Sequence, residues 1–181
     1  METWDDLYFG LKPDPDIAAE IIERAHWAAY QYGLSGSLPE PERLHVTLMG
    51  IGSYDGLPAD AVARAVAAVR PVTVAPFEIT FDRLATFRRD ARHPIVLLCR
   101  DVPAELTALH EMLDAALAQA GIGRRRKTFK PHITLLWDHA QVPDIRLDEP
   151  ASWVVRDFLL VHSFHGAGRH DHLGRWPLVI V

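Results

Sequence analysis

The chain has 181 residues, with 24 acidic and 19 basic side chains for a formal net charge of −5, and 49% of its residues are hydrophobic. That length buries a substantial core without staples, and no apolar run approaches the roughly 18 residues a membrane span needs. The acidic balance excludes a protein that coats nucleic acid with a broad basic face, so any such contact must be local.

Met1 to Asp6 is acidic and lacks the basic and apolar parts of a signal peptide, which makes the cytoplasm the expected compartment. Leu7 to Leu11 reads as a strand. Asp14 as N-cap and Pro15 at the first helical position open a helix whose Ile17, Ile21, Ala25 and Ala28 share a face until Gly33 ends it. The Ser-, Gly- and Pro-rich segment Leu34 to Pro41 is a loop into a strand from Leu44 to Ile51, and Pro58 to Arg70 is an Ala- and Val-rich helix. Strands are expected over Val72 to Asp82 and Pro94 to Arg100, joined through the polar stretch Thr86 to His93, a hairpin connection or surface loop. Cys99 ends an apolar run and reads as a small buried residue without a disulfide partner in the chain. Leu106, Leu109, Leu113 and Leu117 mark an amphipathic helix between Pro103 and Gly121. Thr128 to Leu136 reads as a strand, Gln141 to Pro150 as a Pro-rich acidic loop, Trp153 to Val161 as one strand and Trp176 to Val181 as a short terminal one.

Two of these strands say nearly the same thing: Leu44-His45-Val46-Thr47-Leu48 and, 87 residues later, Pro131-His132-Ile133-Thr134-Leu135. Residues two apart in an extended chain face the same side, so His and Thr of each motif point together. A single copy is most simply a histidine at the edge of a core. Two copies facing one another would supply a general base, a general acid and two hydroxyl donors for phosphate oxygens, enough to open a cyclic phosphodiester with no metal. Directly before the second motif, after a turn at Gly121 and Gly123, comes the basic run Arg124-Arg125-Arg126-Lys127 with Lys130, readable as a solvated loop or as cations delivered to the site. His162, His165, His170 and His172 match no fixed metal-ligand spacing, and a solvated loop is expected there.

The same residues resemble the two-histidine (2H) phosphoesterase superfamily, in particular its bacterial and archaeal 2′-5′ RNA ligase-like branch. The likeness rests on Leu44 to Gly50 and Phe129 to Leu135, with the opening strand Leu7-Tyr8-Phe9-Gly10-Leu11 and the closing segments Phe158 to Ser163 and Trp176-Pro177-Leu178. The resemblance implies a bilobal α+β fold of pseudo-two-fold symmetry, with antiparallel-rich sheets lining a central groove and helices outside. Residues 1–181 would then form one domain of two intertwined lobes, each with one His-x-Thr.

The resemblance further implies RNA ends or nucleotides with a 2′,3′-cyclic phosphate as substrates, hydrolysed to a 2′-phosphate, with reversible 2′-5′ ligation in some members. Neither metal nor ATP is expected as a cofactor, and neither a membrane nor an obligate protein partner is implied. Carried across, His45 and His132 are the catalytic pair and Thr47 and Thr134 bind phosphate, with His132 activating water and His45 protonating the departing 3′ oxygen. Arg126, Lys127, Phe129, Lys130 and Trp137 are candidate substrate contacts.

Two departures stand out. Trp137 occupies a position where many members carry an arginine, and regular alternation turns it away from His132, leaving a core aromatic and a base-stacking surface both open. Near the C-terminus, where the family often has a tyrosine, this chain reads Gly168-Arg169-His170-Asp171-His172. Two other readings therefore stay open: a non-catalytic RNA- or nucleotide-binding module with a phosphate clamp, and a metal-dependent hydrolase using the C-terminal histidines. The scarcity of other basic clusters favours short RNA ends or mononucleotides.

Overall fold

Three helices and eight strands follow one another in the computed structural model, which describes residues 4–123, 128–164, 166 and 168–180. In chain order they are β1 (Asp5–Leu11), α1 (Pro15–Tyr32), a single 3-10 turn (Pro41–Arg43), β2 (Val46–Tyr54), α2 (Ala59–Ala68), β3 (Phe77–Thr86), β4 (His93–Leu98), α3 (Ala104–Gln119), β5 (His132–Asp138), β6 (Ile145–Val155), β7 (Asp157–Phe164) and β8 (Arg169–Pro177). The strands form one antiparallel sheet in the order β6-β3-β4-β5-β2-β1-β7-β8, so the fold is α+β as expected.

The sheet consists of two four-stranded halves, and the seam between them is narrow: β2 and β5 pair only at Val46 and Ile133. Helices tie the halves together crosswise. α1 follows β1 in one half yet packs against β5 and β6 of the other, while α3 follows β4 and packs against β2. α1 buries Ala18, Ile21, Ala25 and Ala28, and Gly33 ends it at φ 61°, ψ 36°, the left-handed geometry that costs glycine least. α3 buries its four-leucine stripe, Leu106, Leu109, Leu113 and Leu117. These faces meet Phe9, Phe81, Phe158 and the fully buried Val46 and Ile133 in one continuous core. Cys99 is buried there too, and burial pushes its thiol up to about 11.

The strand expectations fail in the last third of the chain, and at β3. β3 begins only at Phe77, after Pro76, which has no N–H for a ladder. Gln141 to Pro150 is not all loop, since β6 begins at Ile145. Pro150 is tolerated because β6 is an edge strand whose pairing with β3 skips between Arg146 and Ala151. Trp153 to Val161 is two strands rather than one, broken at Arg156 between β6, at the edge of one half, and β7, inside the other. The final strand is Arg169–Pro177, earlier than expected, a polar edge strand paired with β7 alone.

Candidate functional site

Val46 and Ile133 turn into the core, so the residues flanking them turn out of it onto the opposite face of the sheet. Extending the antiparallel register by one residue each way sets His45 across from Thr134 and Thr47 across from His132. Each histidine thus faces the threonine of the other motif, and Thr47 and His132 share the wall of one small pocket. All four side chains are half-buried. Both imidazoles are held alike: His45 Nδ1 lies 2.7 Å from the carbonyl of Arg43, and His132 Nδ1 lies 2.7 Å from the carbonyl of Lys130. A carbonyl can only accept, so Nδ1 is the donor in each, and Nε2 remains on both rings to take or give a proton.

Around His45 the structure assembles residues that sequence reasoning missed. Tyr8 stacks on the His45 ring at 4.8 Å between centroids, and His170 meets it edge-on at 5.4 Å. Gly10 makes room for this, because a Cβ there would stand 2.9 Å from the Val46 carbonyl and 3.1 Å from the Tyr8 ring. The solvated loop expected at Gly168 to His172 is therefore corrected: His170 and His172 lie on β8, and His170 belongs to the site. His162 lies elsewhere, buried with Asp5 at 3.0 Å, and His165 lies outside the described residues. Among the described residues no three His, Cys, Asp or Glu side chains gather closely enough to hold a metal ion.

Burial lowers the His45 imidazole from 6.5 to about 4 against the opposing pull of its bond to Arg43, with Lys12, His132 and Arg43 adding repulsion. His170 falls to about 3 for the same first reason, with His45, Lys12 and Arg43 nearby. Burial likewise pushes the Tyr8 phenol up. Tyr8 Oη, Arg43 Nε and His170 Nδ1 are buried without a hydrogen-bond partner among the described residues. Beyond His170 lies a cavity of about 960 Å³ walled in part by Lys12, Arg43, Trp153, His172 and Arg175.

On the other side, Phe87 stands edge-on to His132 at 4.8 Å, and a second cavity of about 400 Å³ is lined by Phe87, Arg88, Arg89, Thr128, Lys130 and His132. Lys130 is thus brought to the site. Phe129 is half-buried and stacked on His110 at 4.1 Å, beside His132 in the small pocket. Arg126 and Lys127 lie outside the described residues. Trp137 corrects the alternation argument. The register of β5 on β4 skips Leu135, pairing Thr134 with Val96 and Leu136 with Ile95, so Trp137, opposite Pro94, returns to the face of His132 and Thr134. Trp137 is 46% exposed.

Two imidazoles held neutral in the fold make it acid-labile. Their unfolded values near 6.5 exceed the folded ones, so between pH 6.5 and about 4 the unfolded chain binds protons that the native one refuses, and stability is lost as pH falls. After screening, we expect about 1–2 kcal/mol per imidazole at pH 5, and a melting temperature roughly 5–10 °C below that at pH 7. His170→Phe should recover about half of that drop in a pH series of thermal melts; an unchanged drop would contradict the assignment.

Known proteins resemble this chain in sequence and in fold. The model of the 2′-5′ RNA ligase superfamily matches residues 13–163. The RNA 2′,3′-cyclic phosphodiesterase of Escherichia coli K12 is 29% identical over 179 residues, covering 95% of this chain and 96% of that protein. A protein of the same name from Archaeoglobus fulgidus is 33% identical over 104 residues, 57% of each. The crystal structure of E. coli LigT complexed with 3′-AMP superimposes with a TM-score of 0.78 at 27% identity, covering 98% of this chain and 99% of that one.

Proposed function

The chain belongs to the 2′-5′ RNA ligase superfamily, and from that premise we propose that it hydrolyses the 2′,3′-cyclic phosphate of RNA ends or nucleotides to a 2′-phosphate without a metal. One observation carries the reading: two histidines, each tied back through Nδ1 to a carbonyl two residues upstream, face the threonines of the opposite motif across the seam of the sheet.

In the reaction His132 Nε2 takes a proton from the attacking water, and His45 gives one to O3′ as the P–O3′ bond breaks. Thr47 and Thr134 donate to the non-bridging oxygens, where charge builds. Burial leaves the free His45 imidazole neutral, so its role as the acid requires that its proton be loaded together with the substrate. A bound phosphate anion, facing the cations that repel that proton in the free site, favours its loading. Lys12 and Arg43, both acting on His45 through space, take the place of the arginine that Trp137 replaces. The exposed Trp137 indole, on the groove face beyond Thr134, is offered to a base.

The reciprocal packing of α1 and α3 supports reading residues 1–181 as one domain of two intertwined lobes. No helix among the described residues is long and apolar enough to cross a membrane. The compartment proposed is the cytoplasm, with RNA or nucleotides as partners; no obligate protein partner is proposed, since both proton transfers are assigned to this chain's own side chains.

The test is a short RNA ending in a 2′,3′-cyclic phosphate, incubated in EDTA. A 2′-phosphate product is expected at an undiminished rate. A 3′-phosphate, or activity that returns only with added metal, would overturn the mechanism. Binding with no turnover on RNA or cyclic mononucleotides would favour a phosphate clamp instead.

A further inference from the structure

The ribose itself gives the groove a direction. O3′ neighbours the carbon that carries C5′, and O2′ neighbours the carbon that carries the base, so a ring with O3′ turned to His45 sends O5′ away from the base. Trp137, offered to the base, lies on the β5 side of the seam, whereas Tyr8 of β1 and His170 of β8 lie on the other. A phosphate on O5′ stands one ribose width from the ring phosphorus. The Tyr8 and His170 rings stand 4.8 and 5.4 Å from that of His45. Around these rings the buried polar atoms have nothing to bond. Tyr8 Oη, Arg43 Nε and His170 Nδ1 lack a hydrogen-bond partner among the described residues, although Tyr8 is only 6% exposed, and such atoms are costly unless a ligand or water meets them. Neither Lys12 nor Arg43 makes an ion pair among the described residues, while Arg175 and Arg156 on the same cavity wall are matched by Asp157 at 2.5 Å and Asp14 at 3.8 Å. The charged groups acting on the His45 and His170 rings are Lys12, Arg43 and other imidazoles, so the floor is cationic; Glu42 and Asp6 act at its margins, on Lys12 and Tyr8. Arg43 Nε and the Lys12 ammonium can only donate, and Tyr8 Oη and His170 Nδ1 are able to, a set that suits an anion with several acceptor oxygens.

We propose that Tyr8 Oη, Arg43 Nε and His170 Nδ1, with the Lys12 ammonium, form a second phosphate site, which binds the phosphate on O5′ of the nucleotide whose 2′,3′ ring is opened. The inference rests on the hydrolytic reading above and on its direction of O3′ to His45. It adds a ligand class, a nucleotide phosphorylated on O5′, and makes that phosphate a determinant of which cyclic ends are opened. Arg43 serves both sites, since its carbonyl holds His45 Nδ1 while its guanidinium faces the second phosphate. Behind the site, the cavity of about 960 Å³ has room for whatever the phosphate carries. Two sources share this chemistry: a phosphodiester to an upstream nucleotide and the monoester of a free one.

The experiment compares adenosine 2′,3′-cyclic phosphate, the same nucleotide with a 5′-monophosphate, and a dinucleotide whose single phosphodiester sits on that O5′. Both phosphorylated forms should show kcat/KM higher by roughly tenfold or more, gained mainly in KM. Calorimetry makes the same comparison without turnover: adenosine 2′,5′-bisphosphate should bind roughly tenfold or more tightly than adenosine 2′-monophosphate. Tyr8→Phe removes one hydroxyl and keeps the ring on His45; it and His170→Phe should each cut both gains roughly three- to tenfold. Each gain is a ratio measured within one variant, so a general loss of activity or stability cancels. A gain by the monoester and not the dinucleotide assigns the site to free nucleotides. The reverse, with the gain still reduced in both variants, assigns it to strand ends.

Equal affinity for the 2′,5′-bisphosphate and the 2′-monophosphate would overturn the proposal. So would a gain that both phenylalanine variants leave intact, which belongs to the second nucleoside or to general attraction. In either case, opening of the cyclic nucleotides would leave the hydrolytic reading standing. A bisphosphate preference that follows Tyr8 and His170, with no opening of any cyclic substrate, would uphold the second site and overturn the hydrolytic reading.

Discussion

Replacing His45 or His132 by alanine is expected to cut turnover of a 2′,3′-cyclic phosphate by roughly 10²- to 10⁴-fold, about 2.7 to 5.5 kcal/mol at the transition state. Each imidazole moves a different proton, on opposite sides of the phosphorus, so neither can stand in for the other. His170 is the nearest described imidazole to His45, but it stands edge-on to that ring and not across the seam from a motif threonine. The double variant should be little worse than the poorer single one, because groups that act as a unit do not lose their contributions additively.

The loss should fall on kcat. Affinity for a 2′-phosphate product, held by Thr47, Thr134 and the cations around them, should change far less. Steady-state kinetics beside calorimetric titration of adenosine 2′-monophosphate separates the two. A variant keeping a tenth of wild-type kcat would remove its histidine from the proton-transfer role. A loss of affinity with kcat preserved would point to a phosphate clamp.

How much of this was legible beforehand depends on how far apart the interacting residues lie in the chain. The motif residues were readable because alternation on a strand is local, and the duplication supplied its own control. The helices were readable for the same reason, from Pro15 to Gly33 in α1 and through the four leucines of α3. Tyr8 and His170 were not, because they reach His45 only through the sheet order: β1 lies beside β2, and β7 carries β8 to the edge beyond. β8 itself, Arg-His-Asp-His-Leu-Gly-Arg, has no apolar alternation, since an edge strand with one partner has little face to bury. Trp137 shows a third limit. Its facing depends on one skipped residue, Leu135, and nothing in the local pattern of β5 announces a bulge. Arg88 and Arg89 were legible only as loop residues until β4, pairing with both β3 and β5, brought their hairpin beside Lys130.

Asp138→Ala is expected to cost about 3 kcal/mol and lower the melting temperature by roughly 6–12 °C, from a residue that no motif singles out. Asp138 ends β5 and is 3% exposed, yet it stays charged: the backbone N–H of Ala140, with those of Ser35 and Gly36, holds its carboxyl down at about 2. The bonds are short, 2.8 Å from Ala140 N, 2.6 Å from Ser35 N and 2.7 Å from Gly36 N. Alanine would orphan three backbone donors at once, each costing about 1–3 kcal/mol if it stays buried and less where the loop relaxes to water.

The site would feel the change as well. Ser35 and Gly36 belong to the segment that leads into His45, and Asp138 closes the strand that carries His132, so this carboxylate ties the approach to one motif to the end of the other. Gly36 seats that contact, since a Cβ there would run into the carbonyl of Trp137. Asp138→Asn keeps one acceptor oxygen and should lose about half as much stability. In hydrogen exchange, the Ser35 and Gly36 amides should lose protection in Asp138→Ala before the core strands do. kcat should fall with binding of a 2′-phosphate largely retained, because misplacing one histidine against the other costs proton transfer first. A variant that melts within 2 °C of wild type with both amides still protected would show that the loop is held by other contacts.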